Sequence, residues 1–244
     1  MDFIAGGNVE LSSYALYAKT TARSLIRRVH LAKVAHCIRM LWHEPNYEDK
    51  FSAVMLSAIR EDDCVWDIGA NVGLYTEEFS KLAKYVVAFE PIQENMEQIK
   101  ARRLVNVECV QVALGDAAGC IPMFVDGQFS SFSLKPHVKA EERVIKVERG
   151  DDLKYPAPTV VKIDVEGYEM EVLRGMSGIL VRARAAFIEI HFSILDKSGM
   201  RYAPLQIVAH LRELGFSIIK WPDASHIAAF KEQPWQKQTR GKKN

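Results

Sequence analysis

Little in this sequence selects a special environment. Lys and Arg total 32 against 31 Asp and Glu, so no excess of one sign marks nucleic acid or an anionic membrane as the main partner. No apolar run approaches the roughly 20 residues that span a bilayer. Its 4 cysteines, Cys37, Cys64, Cys109 and Cys120, stand singly, without the paired spacing of a zinc or redox site. With no signal-peptide pattern ahead of them, the expectation is buried thiols in a reducing, cytoplasmic setting. Internal repeats and low-complexity segments are missing as well. What remains is ordinary and ample: 244 residues, 48% of them hydrophobic, enough for one core with appendages.

Charge is nonetheless uneven along the chain. From Leu11 to His43 there are six basic residues and no acidic one, and the final "QKQTRGKKN" carries four more. The first of these segments reads as a helix, because Tyr14, Ala18, Ala22, Leu25, Val29 and Ala32 recur at three and four residues. This predicts a helical extension over 1–50, a main domain over 51–235 and a disordered basic tail over 236–244. Solvated surface is the plain reading of both basic segments, with peripheral membrane contact through the leading helix left open.

Beyond "YEDKFSAVMLSAIRE", whose Phe51, Met55 and Ile59 keep a helical period, short apolar runs alternate with helices. "CVWDIG", "YVVAFE" and "VECVQVAL" read as buried strands, separated by helices over Tyr75 to Lys84 and "ENMEQIKARR". Such alternation predicts parallel βαβ units in a doubly wound α/β sheet. The rhythm lapses from Gly115 to Leu153, where "CIPMFV", "SSFSL" and "VIKVE" predict an inserted antiparallel ribbon near one sheet edge. It resumes with "TVVKIDVEG", the helix "EMEVLRGMSGIL" and "AAFIEIHF". "PLQIVAHLRELG" then makes a helix that Gly215 can end, and "FSIIKW" and "HIAAFK" close the domain as an antiparallel pair.

The stretch "VWDIGANVG", Val65 to Gly73, lies where a first strand turns into a helix. Ligands of open α/β sheets bind at such a turn, over the free N–H groups of the helix amino terminus. Gly69 permits a tight turn and Gly73 a close helix approach. The dinucleotide pattern G-x-G-x-x-G is not met, since Asn71 takes the middle position and no third glycine follows. Glu90, at the end of "AFEP" and about twenty residues downstream, can accept hydrogen bonds from both hydroxyls of a ribose. Order and spacing point to an adenosine-containing ligand without a pyrophosphate.

The segments "DIGANVGLYT", "VVAFEPIQEN", "VALGD", "VKIDVEGYEMEVLRGM" and "FIEIH", from about Glu44 to His191, together resemble the FkbM-type S-adenosylmethionine-dependent methyltransferases. That resemblance implies a class I, Rossmann-like methyltransferase fold, with seven strands of which the last is antiparallel, and S-adenosylmethionine as cofactor. It also implies that Asp67, Gly69, Asn71 and Gly73 face the methionine end of the cofactor, Glu90 the ribose, and Leu114 and Asp116 the adenine. Members mostly methylate hydroxyl oxygens of sugars or secondary metabolites. The chain departs from the pattern at Arg102, where asparagine is usual, and at Gly150, where a hydrophobic residue usually precedes the aspartate.

A hydroxyl becomes a useful nucleophile only as its proton leaves. Alternate residues of a strand share a face, so Asp164 pairs with Glu166 in "KIDVEG" and Glu189 with His191 in "FIEIHF". If the two strands are adjacent, four polar side chains converge beside the cofactor turn. His191 is the first choice for general base, because its unperturbed pKa of about 6.5 suits proton removal near neutrality. Asp164 would orient the acceptor or the cofactor's charge, with Glu166 in support. The plain alternatives are a satisfied strand-end histidine and an Asp164–Lys162 ion pair. A divalent ion polarising the hydroxyl is a further alternative that is not favoured, since nothing in the sequence sets the ligand geometry. In "GQFSSFSL", Phe129, Ser130, Ser131 and Phe132 suit a lid over a polyol or an ordinary hairpin. Trp42, Trp221 and Trp235 read as packing residues.

The expected function is O-methylation of a hydroxylated small molecule, glycosyl or natural product. N-methylation of a peptide amide, methylation of RNA through the basic segments, and a non-catalytic cofactor-binding scaffold are the alternatives.

Overall fold

The computed structural model describes residues 47–126, 129–131, 141–200, 202–223 and 225–231. The leading helix, the basic tail, Trp42, Trp235 and the side chains of "GQFSSFSL" lie outside the described residues. Helix α1 (Tyr47–Ala58) leads to strand β1 (Cys64–Ile68), helix α2 (Leu74–Leu82), β2 (Tyr85–Phe89), α3 (Gln93–Ala101) and β3 (Val107–Val110). Strands β4 (Ala113–Leu114), β5 (Gly119–Asp126), β6 (Phe129–Ser131) and β7 (Glu141–Glu148) form the insertion. They are followed by β8 (Val160–Ile163), α4 (Glu169–Gly175), α5 (Ser177–Leu180), β9 (Ala185–Glu189), α6 (Phe192–Lys197), α7 (Ala203–Glu213), β10 (Ile218–Lys220) and β11 (His226–Phe230).

The main sheet has seven strands in the order β10-β11-β9-β8-β1-β2-β3. β1, β2, β3, β8 and β9 run parallel, while β11 is antiparallel to both its neighbours. The strand sequences explain the layering. Alternate residues point to opposite faces, and both faces are covered, so the strands are largely apolar, with Asp67 and Lys162 as charged residues of β1 and β8. Trp66, Ile68, Val87, Val161 and Ile188 pack with Leu173, Ile207 and Leu211 on one side. Val65, Val86, Val160 and Phe187 pack with Phe51, Met55 and Phe79 on the other. The burial of the last two strands follows their order in the sheet. "HIAAF" is buried along its whole length and lies inside the sheet, whereas "IIK" is only partly buried and forms the edge.

The insertion folds as a second sheet, β4-β7-β5-β6, in which β5 and β7 form a long antiparallel ladder from Gly119↔Val147 to Val125↔Glu141. Three details depart from the sequence expectation. "VECVQVAL" is two strands: Val112 turns back on the Val110 carbonyl, 3.0 Å away, so β3 stays in the main sheet while β4 pairs with β7. "TVVKIDVEG" is strand only to Ile163, because after the Asp164 N–H meets the Ile68 carbonyl at 3.0 Å the chain leaves the sheet through left-handed Glu166 and Gly167. "EMEVLRGMSGIL" is two short helices broken at Met176, whose φ of −128° is not helical.

Candidate active site

The carboxyl ends of β1, β2 and β8 open onto a cleft of about 600 Å³, part of it exposed to solvent. Gly69, Asn71, Glu90, Leu114, Asp164 and Glu166 are among its lining residues, with Met123 contributed by β5 of the insertion. The strand order reverses between β1 and β8, so the flanking crossovers run to opposite sides and leave a crevice there.

Gly69 makes the floor. Its φ is +76°, and a β-carbon would lie 1.8 Å from the Asp164 carbonyl oxygen, so no larger residue fits against β8. Asn71 also has a positive φ, 51°, which asparagine tolerates better than most residues. The turn is clamped by Glu90. One Glu90 oxygen accepts from the Asn71 N–H at 2.9 Å and the other from the Ile92 N–H at 2.9 Å. Burial raises the Glu90 pKa above the usual glutamate value, against the pull of those two amides, the Asn95 side chain and the charge of Lys162. Glu90 is therefore held at the cleft wall by its own strand end and by the turn it faces.

Asp67 lines no part of this cleft. It is fully buried beneath the turn, where it accepts from the Thr76 hydroxyl at 2.6 Å and lies 3.3 Å from the Lys162 ammonium. Lys162 also donates to the Gly69 carbonyl at 3.0 Å and approaches Asp164 to 3.4 Å. Burial alone would lower the Lys162 pKa, but the charges of Asp67 and Asp164 raise it. One buried cation thus ties β1, the glycine turn and the end of β8 together. Gly73 caps α2 and lies against Ile99, and Asp116 is exposed; neither lines the cleft. Arg102 donates to the Val72 carbonyl at 3.2 Å and pairs with Glu77, securing the turn from outside. At Gly150 a β-carbon would meet Met176 at 2.7 Å, so this packing has no room for a hydrophobic side chain.

Beside the cleft the ends of β8 and β9 bring their polar residues together. His191 Nε2 lies 3.3 Å from Glu166, 3.6 Å from Asp164 and 3.7 Å from Glu189. The convergence does not come from strand alternation, since Asp164 and Glu166 both follow the end of β8. The left-handed turn at Glu166 delivers it. On its far side the imidazole meets Glu169, a residue the sequence reading passed over: Nδ1 is 2.7 Å from a carboxylate with no exposed surface, which also accepts from the Gly167 N–H at 2.9 Å. Glu169 begins α4, and nothing in its spacing separates it from an ordinary first-turn acid.

Burial alone would lower the His191 pKa, but the hydrogen-bonding Glu166 and Glu169 raise it well above the usual histidine value. The ordinary value near 6.5 expected from the sequence does not survive this surrounding. Glu189 continues the network to His226, 3.4 Å away, whose other nitrogen lies 2.8 Å from Asp223.

A parallel sheet with one antiparallel insertion, a glycine turn clamped by an acid on the next strand, and no pyrophosphate glycine define a class I, Rossmann-like methyltransferase. Residues 67–218 match the methyltransferase FkbM domain, and the chain belongs to the FkbM methyltransferase family. It is 31% identical over 151 residues to the hexuronic acid methyltransferase AglP of Haloferax volcanii, a match covering 59% of this chain and 62% of that protein. The crystal structure of an FkbM methyltransferase from Methylobacillus flagellatus KT superposes with a TM-score of 0.51 at 15% identity, over 72% of this chain and 48% of that one. This chain therefore spans less than two thirds of either protein. No helix among the described residues is long and apolar enough to cross a membrane.

Proposed function

We propose that the protein transfers the methyl group of S-adenosylmethionine to a hydroxyl oxygen of a sugar unit. The observation that carries this reading is the juxtaposition, on one cleft, of a ribose-type acid and turn (Glu90, Asn71, Gly69) with a cluster of acids around an imidazole (Asp164, Glu166, His191). Two halves of a transfer reaction need that arrangement: a site for the donor and, beside it, groups that receive a proton. The cofactor's adenosine would lie between Glu90 and Leu114, with its sulfonium toward Asp164. The acceptor hydroxyl enters from the side of Glu166. As its oxygen bonds to the methyl carbon, the carbon–sulfur bond breaks, the sulfonium becomes a neutral thioether, and the hydroxyl proton passes to a carboxylate of the cluster, Asp164 or Glu166. A relative that acts on hexuronic acid supports a sugar as the acceptor class.

Calorimetric titration with S-adenosylhomocysteine and with NADH tests the donor half, and binding of the first alone is expected. Methyl-labelled S-adenosylmethionine with a panel of neutral and uronic glycosides tests the acceptor half. Turnover of some glycoside should fall about a hundredfold or more in His191→Ala while homocysteine-form affinity stays nearly unchanged. Absence of S-adenosylhomocysteine binding refutes the donor assignment. Unchanged turnover in His191→Ala removes the imidazole from the reaction.

A further inference from the structure

The geometry points to a divalent-cation site formed by Asp164, Glu166 and His191 at the acceptor side of the cleft. These three residues each offer one ligand atom, and the atoms lie within 4.8 Å of one another. Ligand atoms bound at about 2.0 to 2.2 Å from one ion are separated by roughly 3 to 4 Å. The Nε2–Glu166 and Nε2–Asp164 distances of 3.3 and 3.6 Å fall in that range.

Three further features fit a metal ligand set better than a chance gathering of acids. First, Glu169 takes the Nδ1 side of the ring at 2.7 Å and is itself held by the Gly167 N–H, so the ring orientation is set and Nε2 is the nitrogen turned toward Asp164 and Glu166. A buried carboxylate holding the far nitrogen is the usual support behind a metal-bound histidine. Second, Asp164 and Glu166 line the cleft and His191, which does not, approaches them to 3.6 and 3.3 Å, so an ion there keeps open positions facing a bound molecule. Third, Asp164, Glu166, Glu169 and Glu189 all lie within 3.7 Å of the His191 ring nitrogens, and neighbouring carboxylates favour a positive charge among them.

Two carboxylate oxygens and one imidazole suit Mn²⁺, or another ion that accepts mixed oxygen and nitrogen donors. Its effect on the reaction, which rests on the methyl-transfer reading above, is to hold and polarise the acceptor hydroxyl. It would also let an anionic sugar approach a wall of carboxylates that otherwise repels it. Ion binding itself does not depend on that reading.

The test is direct titration of the full chain, stripped with EDTA, with Mn²⁺, reading free Mn²⁺ by its electron paramagnetic resonance signal. One ion per chain is expected for the wild type, with binding lost in Glu166→Ala and in His191→Ala. Glu169→Gln, which alters only the support, should weaken binding about 10- to 100-fold. Glu166 is more exposed than His191, so its variant keeps the test sound if the His191 substitution does not fold. Circular dichroism checks each fold, and S-adenosylhomocysteine calorimetry is run separately on the same preparations. A folded wild type that leaves Mn²⁺ free, or equal Mn²⁺ affinity in wild type and Glu166→Ala, overturns the site. Failure to bind S-adenosylhomocysteine alongside intact Mn²⁺ binding refutes the proposed function and leaves the ion site standing.

Discussion

Replacing Glu90 tests the donor half of the cleft most sharply. Both carboxylate oxygens accept backbone N–H groups, from Asn71 and Ile92, at 2.9 Å, and Glu90 lines the cleft, where a ribose would donate to it. Hydrogen bonds to a charged group contribute about 1.5 to 3 kcal/mol. Glu90→Gln, which keeps the size but loses the charge, should weaken S-adenosylhomocysteine binding by that amount, about 10- to 150-fold. Titration calorimetry reads this directly, with urea unfolding as a control on the clamp. The raised Glu90 pKa adds a signature. As pH falls through that raised value the carboxylate takes up a proton and cofactor affinity should drop, at a pH above the ordinary glutamate range. For folding the sign is opposite. A carboxyl whose pKa is raised in the fold adds stability once it is protonated and loses that contribution as pH rises through the folded pKa, so acid loss of binding is not acid unfolding at this group. In Glu90→Gln the acid limb should be flat. Wild-type affinity in the variant, or an acid limb that persists, refutes the ribose assignment.

Two further outcomes follow from the packing. A helical glycine changed to alanine ordinarily gains up to about 1 kcal/mol from helix propensity, and Gly175 is the last residue of α4. Gly175→Ala should instead lose about 1 to 3 kcal/mol in urea unfolding, since its β-carbon would lie 1.8 Å from the Gly115 carbonyl oxygen; a stabilised variant refutes that close approach. Burial, with a lesser push from Asp63, raises the Cys64 thiol to about 11, and its Sγ faces the Pro156 carbonyl. At pH 8 a thiol reagent followed by peptide mass mapping should mark exposed Cys120 well before Cys64, and the reverse order would contradict the burial.

The motif departures at Arg102 and Gly150 show where reading a chain by its family pattern stops being useful. Both residues fit their own surroundings: Arg102 fastens the Val72 carbonyl, and Gly150 leaves room for Met176. A substitution at a motif position therefore says little until its neighbours are known. The same holds for His191, whose pKa the isolated residue type would place near neutrality and Glu166 and Glu169 raise well above it.

The strands of the main sheet were legible in "CVWDI", "YVVAF", "VVKI" and "AAFIE" because burial on both faces demands mostly apolar runs. The glycine turn and Glu90 were legible because local backbone geometry and spacing along the chain set them. Apolar content reports that a residue is buried and not against what, so the chain alone did not tell that β11 enters between β9 and β10. Nor did it tell that Lys162 lies beneath the turn. The acid–imidazole cluster was foreseen in membership except for Glu169, but for the wrong reason, since alternation ends at Ile163. Its true geometry comes from the left-handed Glu166, the start of α4 at Glu169 and the register of β8 on β9. Those three elements meet only when the sheet is assembled. Sequence determined which apolar runs enter the sheet and where the glycine turn lies, and the tertiary structure decided which charges face one another, because that depends on distances between segments no local rule contains.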